Sequence, residues 1–180
     1  MTDAPNELSL SRFIAAPPAK VWDIMVNRQE EWWCPVPWHA KIDRQDRRPG
    51  GVCEMTFHGP DGEKEPQIGI YLAWDEGRRF ATTDAVTADL QPHGPFMIGI
   101  WDVAAEGDGA RYTATARHWT EEACKEHADM GFTEGWGACA DQLQALITER
   151  DLGDHVALPR RSVSDAEMKD MLVAADVFVI

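Results

Sequence analysis

Residues 120–150 read TEEACKEHADMGFTEGWGACADQLQALITER, and this stretch decides the fold. Phe132, Trp136, Cys139, Leu143, Leu146 and Ile147 recur at three- and four-residue steps, which on an α-helix makes one apolar face. The stretch follows a series of short alternating segments separated by turn residues, the pattern of an antiparallel sheet. A long C-terminal helix laid against a curved sheet buries both apolar faces at once. Gly131, Gly135, Gly137 and Ala138 interrupt the bulk near the middle of the stretch. Glycine costs about 1 kcal/mol in a helix relative to alanine. Either close packing against the sheet or a ligand lying over bare backbone supplies the reason, so the groove reads as a dry core or as a pocket.

Upstream, residues 7–14 alternate as a first strand, and Ala15–Pro18 break it. Pro18 suits the first position of a helix, where its missing N–H is not needed. Val21, Trp22, Ile24, Met25 and Val26 then predict a short helix over 18–28, and Glu30–Trp33 one further turn, stopped by Pro35 and Pro37. From residue 39 onward the chain reads as strands and hairpins: 40–47, 52–58, 67–75, 78–85, 96–104 and 111–119. Phe96–Ala104, FMIGIWDVA, is the most apolar of them and is expected to be central. Gly99 interrupts this strand beside Trp101.

The 180 residues suffice for one domain with a sizeable core. A net charge of −14 argues against nucleic acid or an anionic membrane as partner. Cys34, Cys53, Cys124 and Cys139 form no CxxC and no short disulfide framework, which fits buried thiols in a reducing cytoplasm. The N-terminus has no secretion-signal pattern, and no apolar run is long enough to span a bilayer. A cytoplasmic location is the expectation.

Four places carry potential chemistry. The loop 30–39, EEWWCPVPWH, crowds Trp32, Trp33, Trp38, Cys34 and His39 together. It reads as a pocket wall or lid, or as an aromatic plug closing the end of the sheet. On the strand 111–119, Tyr112, Ala114, Ala116 and His118 share one face. If that face is inward, Tyr112 and His118 are candidates for general acid–base work on an enolisable ligand; the simpler reading is a hydrogen-bonded surface histidine with a supporting tyrosine. Cys124-x-x-His127 spans one helical turn, but no second pair stands at zinc spacing, so no metal is expected. No phosphate loop, nucleophile elbow or HExxH occurs, and no cofactor is expected.

Several segments together carry a family resemblance: FIAAPPAKVW at 13–22, Trp32-Trp33, Arg48-Pro49-Gly50-Gly51, Gly59-Pro60-Asp61-Gly62, and Gly131-Phe132-x-x-Gly135-Trp136 with Leu143 and Leu146. In order and spacing the chain resembles the SRPBCC (START-like) superfamily over about residues 8–150. Within it, the chain is similar to the bacterial branch that looks like the C-terminal domain of the activator of the 90-kDa heat-shock chaperone ATPase. The resemblance implies an α+β helix-grip fold: a curved antiparallel sheet of six to seven strands around a long C-terminal helix, with two short helices after the first strand. It also implies a cavity for a small hydrophobic molecule, with Trp22, Trp33, Trp101, Phe132 and Trp136 at wall positions; the loop reading adds Trp38. That family has no invariant catalytic set to carry over. Relatives usually continue through a Gly-Pro where Cys34-Pro35-Val36-Pro37-Trp38 stands here. No chaperone-binding domain fits before Leu8, so a chaperone partner is not expected.

Residues 1–150 are thus expected to form the ligand-binding domain. Residues 151–180 form an extension in which Ser164-x-x-Glu167 is a capping box for a short amphipathic helix, packed on the domain or across a homodimer. Three functions remain open at this stage: binding of a small hydrophobic or aromatic molecule, a cyclase-, dehydratase- or hydrolase-type enzyme on a polyketide-like or other enolisable ligand, and a protein-interaction module.

Overall fold

Alternation in Glu7–Ile14 decides how the first strand, β1, sits: Leu8, Leu10 and Ile14 turn to the core, while Ser9, Ser11 and Phe13 are exposed. The computed structural model describes residues 6–155. By contacts the chain divides into two units, Met1–Glu149 and Arg150–Ile180, and everything that shapes the site lies in the first. The capping box at 164–167, the helix expected after it, the tail to Ile180 and the expected dimer contact fall outside the described residues.

After β1 come α1 (Pro18–Asn27), with Pro18 in its first turn, and the single turn α2 (Gln29–Trp32). Six strands follow: β2 (His39–Gln45), β3 (Val52–His58), β4 (Lys64–Asp75), β5 (Arg79–Thr83), β6 (Ile98–Glu106) and β7 (Gly109–Arg117). Every pairing is antiparallel, and the strand order is β1-β7-β6-β5-β4-β3-β2. The first strand therefore closes against the last, and β6 lies in the interior of the sheet as its composition predicts. Register shifts between Ile42 and Arg44 on β2, and between Tyr71 and Ala73 on β4, are the irregularities that bend a sheet. The second has a further effect. It keeps both Tyr71 and Trp74 opposite inward residues of β5, Thr82 and Phe80. This is the helix-grip architecture.

The expected strand 96–104 begins two residues later than its composition suggests. The Asp84 carboxylate accepts the backbone N–H groups of Phe96 (2.8 and 3.0 Å) and Met97 (3.2 Å), so these amides are satisfied outside the ladder.

The C-terminal stretch differs from its expectation. It forms two helices, α3 (Glu121–Asp129) and α4 (Phe132–His155), rather than one. Thr120 caps α3 by accepting from Ala123 N at 3.1 Å. The break falls at Gly131, whose φ of +94° is a left-handed conformation that side chains with a Cβ resist. Gly131 is therefore a hinge between helices. A Cβ built on Gly135 would meet nothing within 4 Å, and one on Gly137 only Arg12 Nη2 at 3.5 Å. Close packing on the sheet therefore does not require these glycines, and neither of them is among the cavity-lining residues.

α4 delivers most of its expected apolar face: Phe132, Trp136, Cys139, Leu143 and Ile147 are buried, joined by Ala140, while Leu146 is half-buried against the core. The facing positions of β7, Ala110, Ala114 and Ala116, are fully buried small residues, and Arg12 of β1 bonds Asp141 of α4 at 3.0 Å.

Candidate functional site

The inward face of the sheet is read off its register. Phe80 of β5 stands opposite Trp101 of β6, and Trp101 opposite Ala114 of β7. One step along, Thr82 faces Gly99, and Gly99 faces Ala116. Because Ala114 is small, α4 can bring Trp136 over Trp101, face to face at 5.5 Å and 12°. The result is a stack running through Trp74, Phe80, Trp101 and Trp136, with centroid steps of 5.6, 4.8 and 5.5 Å. At its outer end the Glu76 carboxylate accepts N–H from both Trp74 (2.7 Å) and Trp22 (2.8 Å), and these two bonds hold its pKa below the usual carboxylate range.

Beside this stack lies a cavity of about 470 Å³. Trp33, Trp101 and Trp136 form its indole wall; Trp33 meets each of the other two edge-on at 5.2 Å. The opposite wall is the odd-numbered face of β3, Cys53, Met55 and Phe57, continued on β4 by Gln67 and Ile68. Phe80, Thr82, Met97 and Gly99 make the floor. His127 and Met130 of the α3 end, with Phe96, complete the rim together with Glu65 and Asp84.

Of the positions expected to form the wall, the structure brings Trp33, Trp101 and Trp136 to the cavity. Trp22 lies behind the stack, edge-on to Trp74 and Phe80. Phe132 stands behind Trp136 at 4.8 Å, and Trp38 packs on the core from the loop before β2. That loop is clamped by one side chain: Gln142 of α4 donates to Trp32 O (2.8 Å) and Cys34 O (3.0 Å) and accepts from Val36 N (3.1 Å).

The inward face of β7 carries Tyr112, Ala114 and Ala116, and His118, one residue past the end of the strand, is buried as well. The surface-histidine reading is therefore corrected: His118 is buried, with the rings of His127 and Phe96 packed on it at 5.1 and 5.6 Å. Tyr112 is fully buried but is not among the cavity-lining residues. Burial drives its phenol far above its usual pKa, so it remains protonated. The Trp101 N–H lies close enough to favour the phenolate slightly, yet neither polar atom makes a hydrogen bond among the described residues.

His118 instead bonds a residue whose part in the site the sequence reading missed. Its Nε2 is 2.9 Å from His127 Nδ1, and its Nδ1 is 3.3 Å from Asn6 O. His127 is the buried residue of α3, a helix otherwise made of charged and small residues. A ring set in the thin apolar stripe Ala123-Cys124-His127 is the signal that would have found it. Cys124 points elsewhere, into a shallow groove with Glu7 and Leu8. Among the described residues no group of three His, Cys, Asp or Glu is placed to hold a metal ion. Cys53, on the cavity wall, has its thiol pushed up to about 11 by burial, which disfavours the nucleophilic thiolate.

A family model described as Activator of Hsp90 ATPase homolog 1-like protein matches residues 15–148. The chain belongs to that family. Its solved relatives include the protein NE0264 of Nitrosomonas europaea, 34% identical, with a TM-score of 0.77, covering 83% of this chain and 99% of that one. Another is Ms6760 of Mycobacterium smegmatis, 28% identical with a TM-score of 0.69, covering 81% and 93%. The AHSA1 protein SPO3351 of Silicibacter pomeroyi, 20% identical with a TM-score of 0.62 over 80% and 99%, shares the fold. No functionally curated protein matches the chain. Among the described residues, no helix is long and apolar enough to cross a membrane.

Proposed function

We propose that the chain binds a small, flat, largely apolar molecule in the cavity between sheet and α4. The carrying observation is the cavity of about 470 Å³ walled by the indoles of Trp33, Trp101 and Trp136. Ligand pockets are typically about 300–1,000 Å³, mostly apolar, with a few placed polar groups. Here those groups include Thr82, Gln67 and His127, with Glu65 and Asp84 at the rim. Membership of a fold family that commonly binds hydrophobic ligands supports the same reading. A ligand that removes about 200 Å² of apolar surface from water gains roughly 5 kcal/mol before ordering costs.

The test uses N-phenyl-1-naphthylamine, a neutral fluorophore whose absorption overlaps tryptophan emission. Titration into the full chain should quench tryptophan and raise probe emission with a saturable, one-to-one profile. Trp101→Ala should weaken binding about tenfold or more, the effect of losing roughly 1.5 kcal/mol of stacking. Native mass spectrometry of freshly purified chain gives an independent readout of co-purified small molecules. Unsaturable probe binding, or saturable binding unaffected by Trp101→Ala, would refute the proposal.

A further inference from the structure

His118 and His127 form a hydrogen-bonded pair, and His127 lines the cavity. The Asn6 carbonyl oxygen only accepts hydrogen bonds, so His118 Nδ1, 3.3 Å away, carries a proton. In the neutral ring, His118 Nε2 then presents a lone pair. His127 Nδ1, 2.9 Å from that Nε2, donates its N–H to it. The second nitrogen of His127, Nε2, is consequently left with a lone pair, on a ring that lines the cavity. Phe96, Phe132 and Trp136 hold that ring at centroid distances of 5.0, 5.2 and 5.8 Å. Burial first, and the neighbouring His118 second, hold the His127 pKa down at about 4, so the ring is neutral at pH 7.

We infer that His127 Nε2 is the hydrogen-bond and proton acceptor of the cavity for an aromatic hydroxyl group, with His118 as its positioning partner and relay. This rests on the reading that the cavity holds a small apolar molecule. The ligand O–H bond breaks with its electron pair left on oxygen, and the proton bonds to His127 Nε2. The Nδ1 proton of His127 passes to His118 Nε2. His118 becomes imidazolium with its Nδ1–H still on the Asn6 carbonyl, and His127 ends neutral. No other reactant is consumed. The desolvated ring at the wall thus hands its charge one step away, as relayed bases do.

The same geometry selects against carboxylate ligands. A neutral imidazole offers them no ion pair. The other ionisable groups on the cavity wall are Cys53, Glu65 and Asp84, of which the carboxylates repel an anion. A neutral phenol or naphthol meets an acceptor and aromatic faces together.

The experiment compares 2-naphthol with 2-methoxynaphthalene on the full chain held in excess. The methyl ether keeps the ring system and lacks the donor. Excited 2-naphthol is a strong acid, and in a dry site it emits as naphtholate only beside a base. The wild-type chain should bind 2-naphthol about 5- to 10-fold tighter than the ether, the yield of one hydrogen bond, and the bound naphthol should emit as naphtholate. His127→Phe should bind the ether as before and lose both the preference and the naphtholate band. His118→Gln keeps an acceptor for His127 Nδ1 but cannot take a proton; it should retain the preference and lose the band.

Equal wild-type affinities for naphthol and ether, with binding intact, would overturn the inference while leaving the cavity reading standing, and this comparison requires no variant to fold. A naphtholate band persisting in His118→Gln would overturn the relay. Failure of both molecules to bind wild type would overturn the cavity reading and this inference with it.

Discussion

Gly99 lies directly beneath the indole of Trp101: a Cβ built on it would come within 2.5 and 2.7 Å of two ring carbons. The ring cannot yield, because Phe80 and Trp136 face it from either side at 4.8 and 5.5 Å. Gly99→Ala should therefore cost about 1–3 kcal/mol, the range for an added methyl in a filled core. The same substitution displaces a cavity wall, so affinity for N-phenyl-1-naphthylamine should fall alongside stability. Urea denaturation and probe titration of one preparation check both. An unchanged midpoint with unchanged affinity would contradict the packing described.

Gln142 ties the loop that carries Trp33 to α4 through both ends of its amide. Gln142→Leu keeps the volume and deletes all three bonds, leaving Trp32 O, Cys34 O and Val36 N to find water. A loss of about 1–3 kcal/mol is expected. The loop should also loosen, and the release rate of N-phenyl-1-naphthylamine in stopped-flow displacement should rise several-fold. A release rate equal to wild type would show that the loop does not gate the cavity.

The depressed pKa of His127 ties stability to pH. Above its ordinary value of 6.5 the ring is neutral folded and unfolded, and its neutral form is fully compatible with burial. Between pH 6.5 and about 4 the unfolded chain takes a proton that the folded chain refuses. Stability from this group is therefore lost as pH falls through that window, at about 1.4 kcal/mol per unit and at most about 3 kcal/mol in sum. His127→Phe should shallow the decline between pH 6.5 and 4 by close to one proton. Urea midpoints at half-unit pH intervals measure it; parallel wild-type and variant curves would refute the assignment.

Strand positions were legible because inward and outward residues alternate and turns are marked by their own chemistry. Asp75–Arg79 shows the latter, with Arg78 N bonding Asp75 O at 3.0 Å across Gly77. The face of α4 was legible for the same reason, since Phe132, Trp136, Leu143 and Ile147 obey one period and are buried together. The break at Gly131 was not, because the sequence around it contains no proline and keeps helical spacing on both sides. Nor was the opposite cavity wall. Cys53, Met55 and Phe57 alternate with the polar Glu54, Thr56 and His58, which marks the inward face, but that spacing does not say whether the face lines a cavity or fills a dry core. The pairing of His118 with His127 depends on the turn at Thr120 folding α3 back over the end of β7, a tertiary event that nine residues of spacing do not encode.

The near-parallel indoles of Trp101 and Trp136 have a spectroscopic consequence. Transition dipoles so close exchange excitation, so absorbed light is pooled among the rings rather than held on one. A guest resting against either ring would tap that pool, and the near-ultraviolet circular dichroism should carry the paired bands of a coupled chromophore. The fold thus supplies its own unlabelled optical reporter, positioned where occupancy matters.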